Sequence, residues 1–205
     1  MGIGGDYLQK KLQQTGRYYE EDLLLAIRRY GLGGTYVDVG AHYGNHTAYF
    51  LLESSAEKVI AFEPEAQNFK VLQATVAKNN LQSFVDLHNV GVHDQWSRAE
   101  LKGRRGNTGN FRLVQEGGEC PLVRLDDVLE GPVSVIKIDV EGAEASVLTS
   151  GLNTIRRDKP LLTVECRTGG EFQGLRDQAL GILAPLGYEI VGCYGGTPTY
   201  LFCAT

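Results

Sequence analysis

No run of apolar residues approaches the roughly 18 that a bilayer-spanning helix needs, so no membrane span is expected. The opening residues, Met1-Gly2-Ile3-Gly4-Gly5-Asp6, lack the basic start and apolar core of a secretory signal. Asp6 stands where a myristoylation signal built on Gly2 wants Ser or Thr. Basic charge is not in excess either: 20 Lys and Arg stand against 25 Asp and Glu, a net charge of −5. That balance offers no electrostatic footprint for DNA or RNA, so no nucleic-acid partner is expected. Cysteine is scarce, at four residues. Cys120, Cys166, Cys193 and Cys203 form no CxxC and no zinc spacing, and the last three lie in or beside apolar strand-like runs. They are expected to be reduced, buried thiols of a cytoplasmic protein. Internal repeats and low-complexity tracts are lacking too. At 205 residues the chain is expected to form one domain with a sizeable core: an N-terminal helical segment over 1–33, and a core over 34–205 with a polar insertion at 92–120.

What is present is a pattern of strands alternating with helices. Thr35 to Val39 reads as a short apolar strand and Asn45 to Ser54 as a helix. Lys58 to Phe62 is a second strand, and Glu65 to Lys78 a helix with Phe69, Leu72 and Val76 on one face, stopped at Asn79-Asn80. Phe84 to Asn89 is a third strand. Val133 to Ile138 leads into a helix from Ala143 to Ser150, and Leu161 to Cys166 leads into a helix from Phe172 to Leu186 that Gly187 ends. Tyr188 to Gly192 and Thr199 to Phe202 read as a closing hairpin. Before all of these, Leu23, Leu24, Ile27 and Tyr30 recur at helical spacing between Tyr18 and Tyr30. This order predicts an α/β, doubly wound sheet, mostly parallel with an antiparallel final strand and helices on both faces. The stretch from Val92 to Cys120 is long, polar and glycine-rich. It predicts a hairpin of Ala99–Leu101 with Phe111–Val114, and a short strand at Leu122–Leu125.

The most informative segment is Val37-Asp38-Val39-Gly40-Ala41-His42-Tyr43-Gly44-Asn45-His46-Thr47, followed by Val59-Ile60-Ala61-Phe62-Glu63-Pro64. Glycines let a backbone approach a ligand closely, and a helix start offers N–H groups to an anion. A carboxylate after the second strand accepts hydrogen bonds from a ribose diol. The spacing, Gly40-x-x-x-Gly44, is not the G-x-G-x-x-G of dinucleotide folds, which argues against a nicotinamide-dependent oxidoreductase. Asp38 at the first strand's end would repel a pyrophosphate but attract an ammonium. A ligand with an amine, a carboxylate and a ribose is S-adenosylmethionine, its amino group facing Asp38 and its ribose facing Glu63.

The blocks Val37–Thr47, Val59–Pro64, Asn89-Val90-Gly91-Val92 and Val123-Arg124-Leu125-Asp126-Asp127-Val128-Leu129 resemble the FkbM family of S-adenosylmethionine-dependent methyltransferases. The most specific block is Ile136-Lys137-Ile138-Asp139-Val140-Glu141-Gly142-Ala143-Glu144. The resemblance runs from about residue 35 to 166. It implies the class I, Rossmann-like methyltransferase fold and transfer to a hydroxyl oxygen of a small molecule or sugar. His42 departs from the Asn common at that position in the family. The cofactor-binding residues expected are Asp38, Gly40, Ala41, Gly44, Asn45, Thr47, Glu63, Pro64, Asn89, Val90 and Gly91.

Methyl transfer is an in-line displacement that also needs the acceptor's proton removed. Ligands of open α/β sheets lie beyond the carboxyl ends of the strands, where Asp38, Glu63, Asn89, Asp139 and Glu165 should share a rim. Lys137 and Asp139, two apart on a strand, point the same way, either as a structural ion pair or as part of the chemistry. The catalytic candidates are Asp139, Glu141, Lys137 and Glu165, while Glu144 suits a helix start. Asp139 and Glu165 without a clear third ligand leave a divalent metal such as Mg open and uncommitted. His42 and His46 are expected at the site's edge. Arg104 and Arg105, in a loop running to Asn110, belong either to a solvated turn or to a loop that meets a phosphate or carboxylate on the acceptor. Tyr194 to Pro198 is a candidate to wall the pocket, and the tyrosines Tyr7, Tyr18 and Tyr19 are candidates either to close it or to form a partner surface. A nucleic-acid methyltransferase is the main alternative, weakened by the charge and by the lack of an Asn/Asp-Pro-Pro-aromatic tetrapeptide. A non-catalytic binder of the same fold is the other. A homo-oligomer is left open.

Overall fold

The computed structural model of the protein describes residues 16–95, 97–104 and 107–205. Tyr7 and Gly2 lie outside the described residues, as does Arg105.

The elements in chain order are α1 (Glu21–Arg29), β1 (Gly34–Val39), α2 (Asn45–Glu53), β2 (Ala56–Phe62), α3 (Ala66–Lys78), β3 (Val85–His88), β4 (Gly91–Val92), β5 (Arg98–Arg104), β6 (Asn107–Glu116), β7 (Cys120–Val123), α4 (Leu125–Val128), β8 (Val133–Ile138), α5 (Glu144–Ser150), α6 (Leu152–Asp158), β9 (Leu161–Glu165), α7 (Leu175–Leu183), β10 (Tyr188–Tyr194) and β11 (Thr199–Ala204). A seven-stranded sheet has the order β10-β11-β9-β8-β1-β2-β3. All its pairs are parallel except those made by β11, which runs antiparallel between β9 and β10.

Strands buried on both faces read as near-continuous apolar runs, and β1, β2 and β8 do. Alternate residues face opposite layers. Val37, Val39, Ile60, Phe62, Ile136 and Ile138 pack with Val147 and Leu148 of α5 and Leu175, Ala179 and Leu183 of α7. Tyr36, Val59, Ala61 and Val135 pack on the other side with Leu23, Leu24 and Ile27 of α1, Phe50 of α2, and Leu72 and Val76 of α3. The insertion forms its own four-stranded sheet, β4-β7-β5-β6. Its β5–β6 hairpin pairs Ala99 with Glu116 and Leu101 with Leu113.

Several expectations are corrected. The first helix starts at Glu21 rather than Tyr18. Leu125 does not end a strand. It opens α4, and the Asp126 carboxylate accepts from the Asn153 and Thr154 backbone N–H groups at 3.0 and 2.9 Å. The Leu125-Asp126-Asp127 block is therefore a structural clasp for α6, a helix that the sequence pattern hides because Gly151 interrupts the periodicity. The expected helix from Phe172 to Leu186 is broken. Gly174, at φ 86°, separates a 3₁₀ turn (Gly170–Phe172) from α7, and Pro185 tightens the last turn into a second 3₁₀ segment. Of the cysteines, only Cys166 is buried, and Cys193 is exposed.

Strand register sets the positions of the acids. Val39 pairs with Phe62 and Ile138, Phe62 with His88, and Ile138 with Val164. One residue further along each strand, Gly40, Glu63, Asn89, Asp139 and Glu165 fall at a common edge. One residue earlier, Asp38 pairs with Ala61 and Lys137, and Lys137 with Thr163.

Candidate active site

The lower of these two rows is closed. The Asp38 carboxylate has no exposure. It accepts a 2.7 Å hydrogen bond from the Thr47 hydroxyl and lies 3.1 Å from Lys137 Nζ. Lys137 Nζ also donates to the Gly40 carbonyl at 2.9 Å and lies 3.7 Å from Asp139 Oδ2. Burial alone would raise the Asp38 pKa, but the Lys137 ammonium, His46 and the Thr47 hydroxyl outweigh it and hold the carboxyl below its ordinary range. Burial would lower Lys137, and Asp38 and Asp139 more than offset it. This corrects one expectation: with its oxygens inside the protein, Asp38 does not face a ligand's amino group. It ties α2 to β1 and, through Lys137, fixes the Gly40 turn.

That turn is shaped by glycine. Gly40 has φ 80°, and a Cβ there would lie 1.8 Å from the Asp139 carbonyl oxygen, so no other residue fits,. Gly40 and Ala41 both donate to the Phe62 carbonyl at 3.0 Å. Gly44, at φ 83°, precedes α2, whose first turn has no side-chain cap. Such a turn presents N–H groups to an anion.

Glu63, just past β2, is buried. Its Oε1 accepts from Glu65 N at 3.0 Å and Asn68 Nδ2 at 3.3 Å, and its Oε2 from His42 N at 2.8 Å. His42 reaches it in a left-handed conformation, φ 50°. Two lone pairs per oxygen leave Oε2 room for one more donor, so a ribose would give Glu63 one hydrogen bond rather than the pair expected. Burial pushes the Glu63 pKa up to about 7 against those hydrogen bonds. Asn89 is exposed and turned away from the turn, donating to the Glu63 and Pro64 carbonyls at 2.8 and 3.3 Å. It thus fixes the backbone that carries Glu63. Val90 packs against the core, and a Cβ on Gly91 would meet Leu122 Cδ2 at 2.6 Å.

The upper row is crowded with carboxylates. Asp139, Glu141 and Glu165 each bring an oxygen within 4.8 Å of the others. Glu141 adopts φ 59°, a left-handed conformation costly for a non-glycine residue,. Arg167, absent from the residues expected at the site, bridges this group: Nη2 donates to Glu141 Oε1, and Nε donates to Glu165 Oε2 at 3.4 Å. Its only signal in the sequence is position, two residues beyond Glu165 and so on the same side. The guanidinium also lies 5.8 Å from the centre of the Phe172 ring, which Arg112 of β6 meets at 5.9 Å. Burial, then the neighbouring Asp139 charge, push Glu165 up to about 9, with Arg167 opposing. Burial pushes Glu141 up to about 7, again against Arg167. Glu144 accepts from Gly142 N at 2.9 Å and serves the turn. A divalent cation between Asp139, Glu141 and Glu165 would have to displace the Arg167 guanidinium. As arranged, the group fits proton transfer better than metal binding.

At the rim, His46 is buried with its Nε2 3.3 Å from Glu20 Oε2. Asn45 Nδ2 donates to the Tyr19 carbonyl at 3.3 Å. Glu20, next to Tyr19 in the chain, abuts the turn that follows Tyr194, since a Cβ on Gly195 would come 3.2 Å from Glu20 Oε1.

A parallel doubly wound sheet with this glycine turn and these strand-end acids defines a class I methyltransferase. The chain matches the profile of the FkbM methyltransferase domain over residues 38–190. It belongs to the FkbM methyltransferase family, and S-adenosylmethionine is its cofactor. Among curated protein sequences none is significantly similar. A solved FkbM methyltransferase from Methylobacillus flagellatus KT is 22% identical with a TM-score of 0.60; the match covers 82% of this chain and 43% of that one. This chain thus spans under half the length of that protein. A Streptococcus mutans protein provisionally described as a methyltransferase, solved in complex with SAH, is 16% identical over 90% of this chain and 96% of its own, with a TM-score of 0.58. A Streptococcus pneumoniae protein provisionally described as a tRNA methyltransferase is 15% identical over 90% of this chain and 68% of its own, with a TM-score of 0.55. At these identities the likeness is one of fold. No described helix is long and apolar enough to cross a membrane.

Proposed function

We propose that the protein methylates a hydroxyl oxygen of a small molecule or sugar in the cytoplasm. The observation that carries this reading is the carboxylate group at the ends of β8 and β9, with Glu141 and Glu165 held at about 7 and about 9. A hydroxyl must lose its proton as it takes a methyl group, and a base works best with a pKa near the working pH. S-adenosylmethionine supplies the methyl on a sulfonium. Gly40, Ala41 and Gly44 shape the turn for its amino-acid end, Asn45 and Thr47 open the helix beside it, and Glu63 takes a ribose hydroxyl. Pro64, Asn89, Val90 and Gly91 hold the backbone on the nucleoside side. The acceptor oxygen forms its bond to carbon as the carbon–sulfur bond breaks, and its proton passes to the carboxylate group, with Glu141, held at about 7, receiving it,. Arg167 steadies Glu141, and Lys137 keeps the turn in place. The net charge of −5 supports a small or glycan acceptor over RNA.

The test is methyl transfer from isotopically labelled S-adenosylmethionine to a panel of sugars, hydroxylated small molecules and transfer RNA, read by mass spectrometry. Labelled methyl ethers among the sugars and small molecules are expected. Label on RNA bases alone would replace this reading with the nucleic-acid one. Cofactor binding without transfer to any acceptor would favour a non-catalytic binder.

A further inference from the structure

The segment just before α1 lies outside the matched region of residues 38–190, yet it is fastened to the site at three points. The Tyr18 ring packs edge-on against Tyr49 of α2, centroids 4.8 Å apart at 84°. The Tyr19 carbonyl accepts from the Asn45 side chain. Glu20 reaches the His46 ring, both side chains under a tenth exposed, and abuts Gly195 in the β10–β11 turn. Asn45 and His46 are the first two residues of the helix after the cofactor turn. Holding these contacts puts Glu20 at φ 55°, a conformation that costs a non-glycine residue of order 1 kcal/mol or more. Two buried polar partners and a strained residue are more than a chain needs merely to enter a helix.

Between those anchors stands Tyr19. Its ring tilts 59° to His46, with centroids 6.4 Å apart. Its phenol is pushed up to about 12, first by burial, then by the charges of Glu20, Asp139 and Glu165. Its ring against His46 and its carbonyl on Asn45 seat Tyr19 over the first turn of α2, next to the Gly40–Gly44 turn.

We propose that residues 17–20 form a strap over the cofactor, and that Tyr19 is a ligand-contacting residue of the site. The strap rests on the reading that S-adenosylmethionine lies at the Gly40–Gly44 turn. Tyr19 covers the methionine end with its ring and directs its hydroxyl toward the reacting carboxylates. Glu20 and His46 are positioning residues that seat it.

The test uses S-adenosylhomocysteine, which needs no acceptor, and isothermal calorimetry on the full chain. Tyr19→Ala should bind it roughly tenfold more weakly, and Tyr19→Phe, which keeps the ring, roughly threefold. Glu20→Ala should fall between them. Hydrogen exchange on the unaltered protein supplies the second measurement: backbone amides of residues 17–20 should gain protection when S-adenosylhomocysteine is added. Unchanged affinity in Tyr19→Ala, or exchange at residues 17–20 indifferent to the ligand, overturns the strap while the cofactor reading stands. Failure of the unaltered protein to bind S-adenosylhomocysteine overturns both.

Discussion

One residue separates two tiers of acids on the same strands. In the lower tier, Asp38 and Lys137 meet at 3.1 Å across the β1–β8 pair, with Thr47 completing the carboxylate's partners. In the upper tier, Asp139, Glu141 and Glu165 crowd together, and Arg167 is the cation shared by both glutamates. The first tier balances charge and has no access to solvent. The second is short of positive charge and opens where ligands of such sheets bind. The pKa directions reflect this: Asp38 is held down, while Glu165 and Glu141 are pushed up. Burial acts on both tiers. What differs is how the positive charge is divided: Arg167 is shared by Glu141 and Glu165 with the Asp139 charge beside them, whereas Asp38 has the nearer share of Lys137 and the Thr47 hydroxyl as well,. The lower tier is architecture, and the proposed function puts the proton chemistry in the upper tier.

The largest expected effect separates the tiers by activity. Glu141→Gln should cut methyl-transfer turnover by roughly 10²–10⁴-fold while leaving S-adenosylhomocysteine affinity within about twofold, read by labelled-methyl turnover and calorimetry. Equal loss of turnover and cofactor affinity would count against Glu141 as the proton acceptor.

Next comes stability. Lys137→Met leaves Asp38 buried without its cation, and breaking a buried pair costs roughly 3–5 kcal/mol. Denaturant unfolding at neutral pH should show that loss. A variant as stable as the parent would show that the lower tier is not structural.

A third prediction turns on pH. Glu165 rises from an ordinary 4.5 to about 9. Its proton-linked contribution to stability is therefore fully present below about 4.5 and is lost as pH climbs through about 9. Asp38 is lowered, so its contribution is present above its ordinary value of 3.8 and is lost as pH falls. Glu165→Gln should therefore gain melting temperature over the parent as pH rises from 5 to 9, by about 2–4 °C per kcal/mol. A melting difference that stays flat across that range would mean Glu165 titrates normally.

The smallest effect concerns Glu63. Its pKa of about 7 in the free protein means that a ribose hydroxyl must meet a carboxylate that is partly protonated near neutrality. Affinity for S-adenosylhomocysteine should weaken by up to about tenfold from pH 8 to pH 6, and Glu63→Gln should flatten that slope. Calorimetry at the two pH values checks it.

Much of this is legible in the sequence. Of the expected rim, Glu63, Asn89, Asp139 and Glu165 come from parallel register, because apolar runs of similar length end together, while Asp38 falls in the row below with Lys137. The pairing of Lys137 with acid comes from the two-residue period of a strand. What escapes is set by tertiary contact. Nothing in the local sequence says that the Asp38 carboxylate turns inward to Thr47, or that Asn89 spends its amide on the Glu63 and Pro64 carbonyls. Arg167 lies beyond the strand's apolar signal, so no local pattern reveals its bridge between Glu141 and Glu165. The expected helix begins three residues early, at Phe172, because the helical spacing of Leu175, Ala179 and Leu183 does not mark Gly174 as the start of its first turn. Asp126 belongs to a block that resembles the family, yet its carboxylate caps a helix 27 residues downstream.

The most direct measurement is a crystal structure with S-adenosylhomocysteine at saturation. The account predicts the amino-acid end against the Gly40–Gly44 turn, a ribose hydroxyl on Glu63 Oε2, and the sulfur facing Asp139 and Glu165. A ligand bound with its sulfur turned away from both carboxylates, or a rim without ligand density, would contradict it.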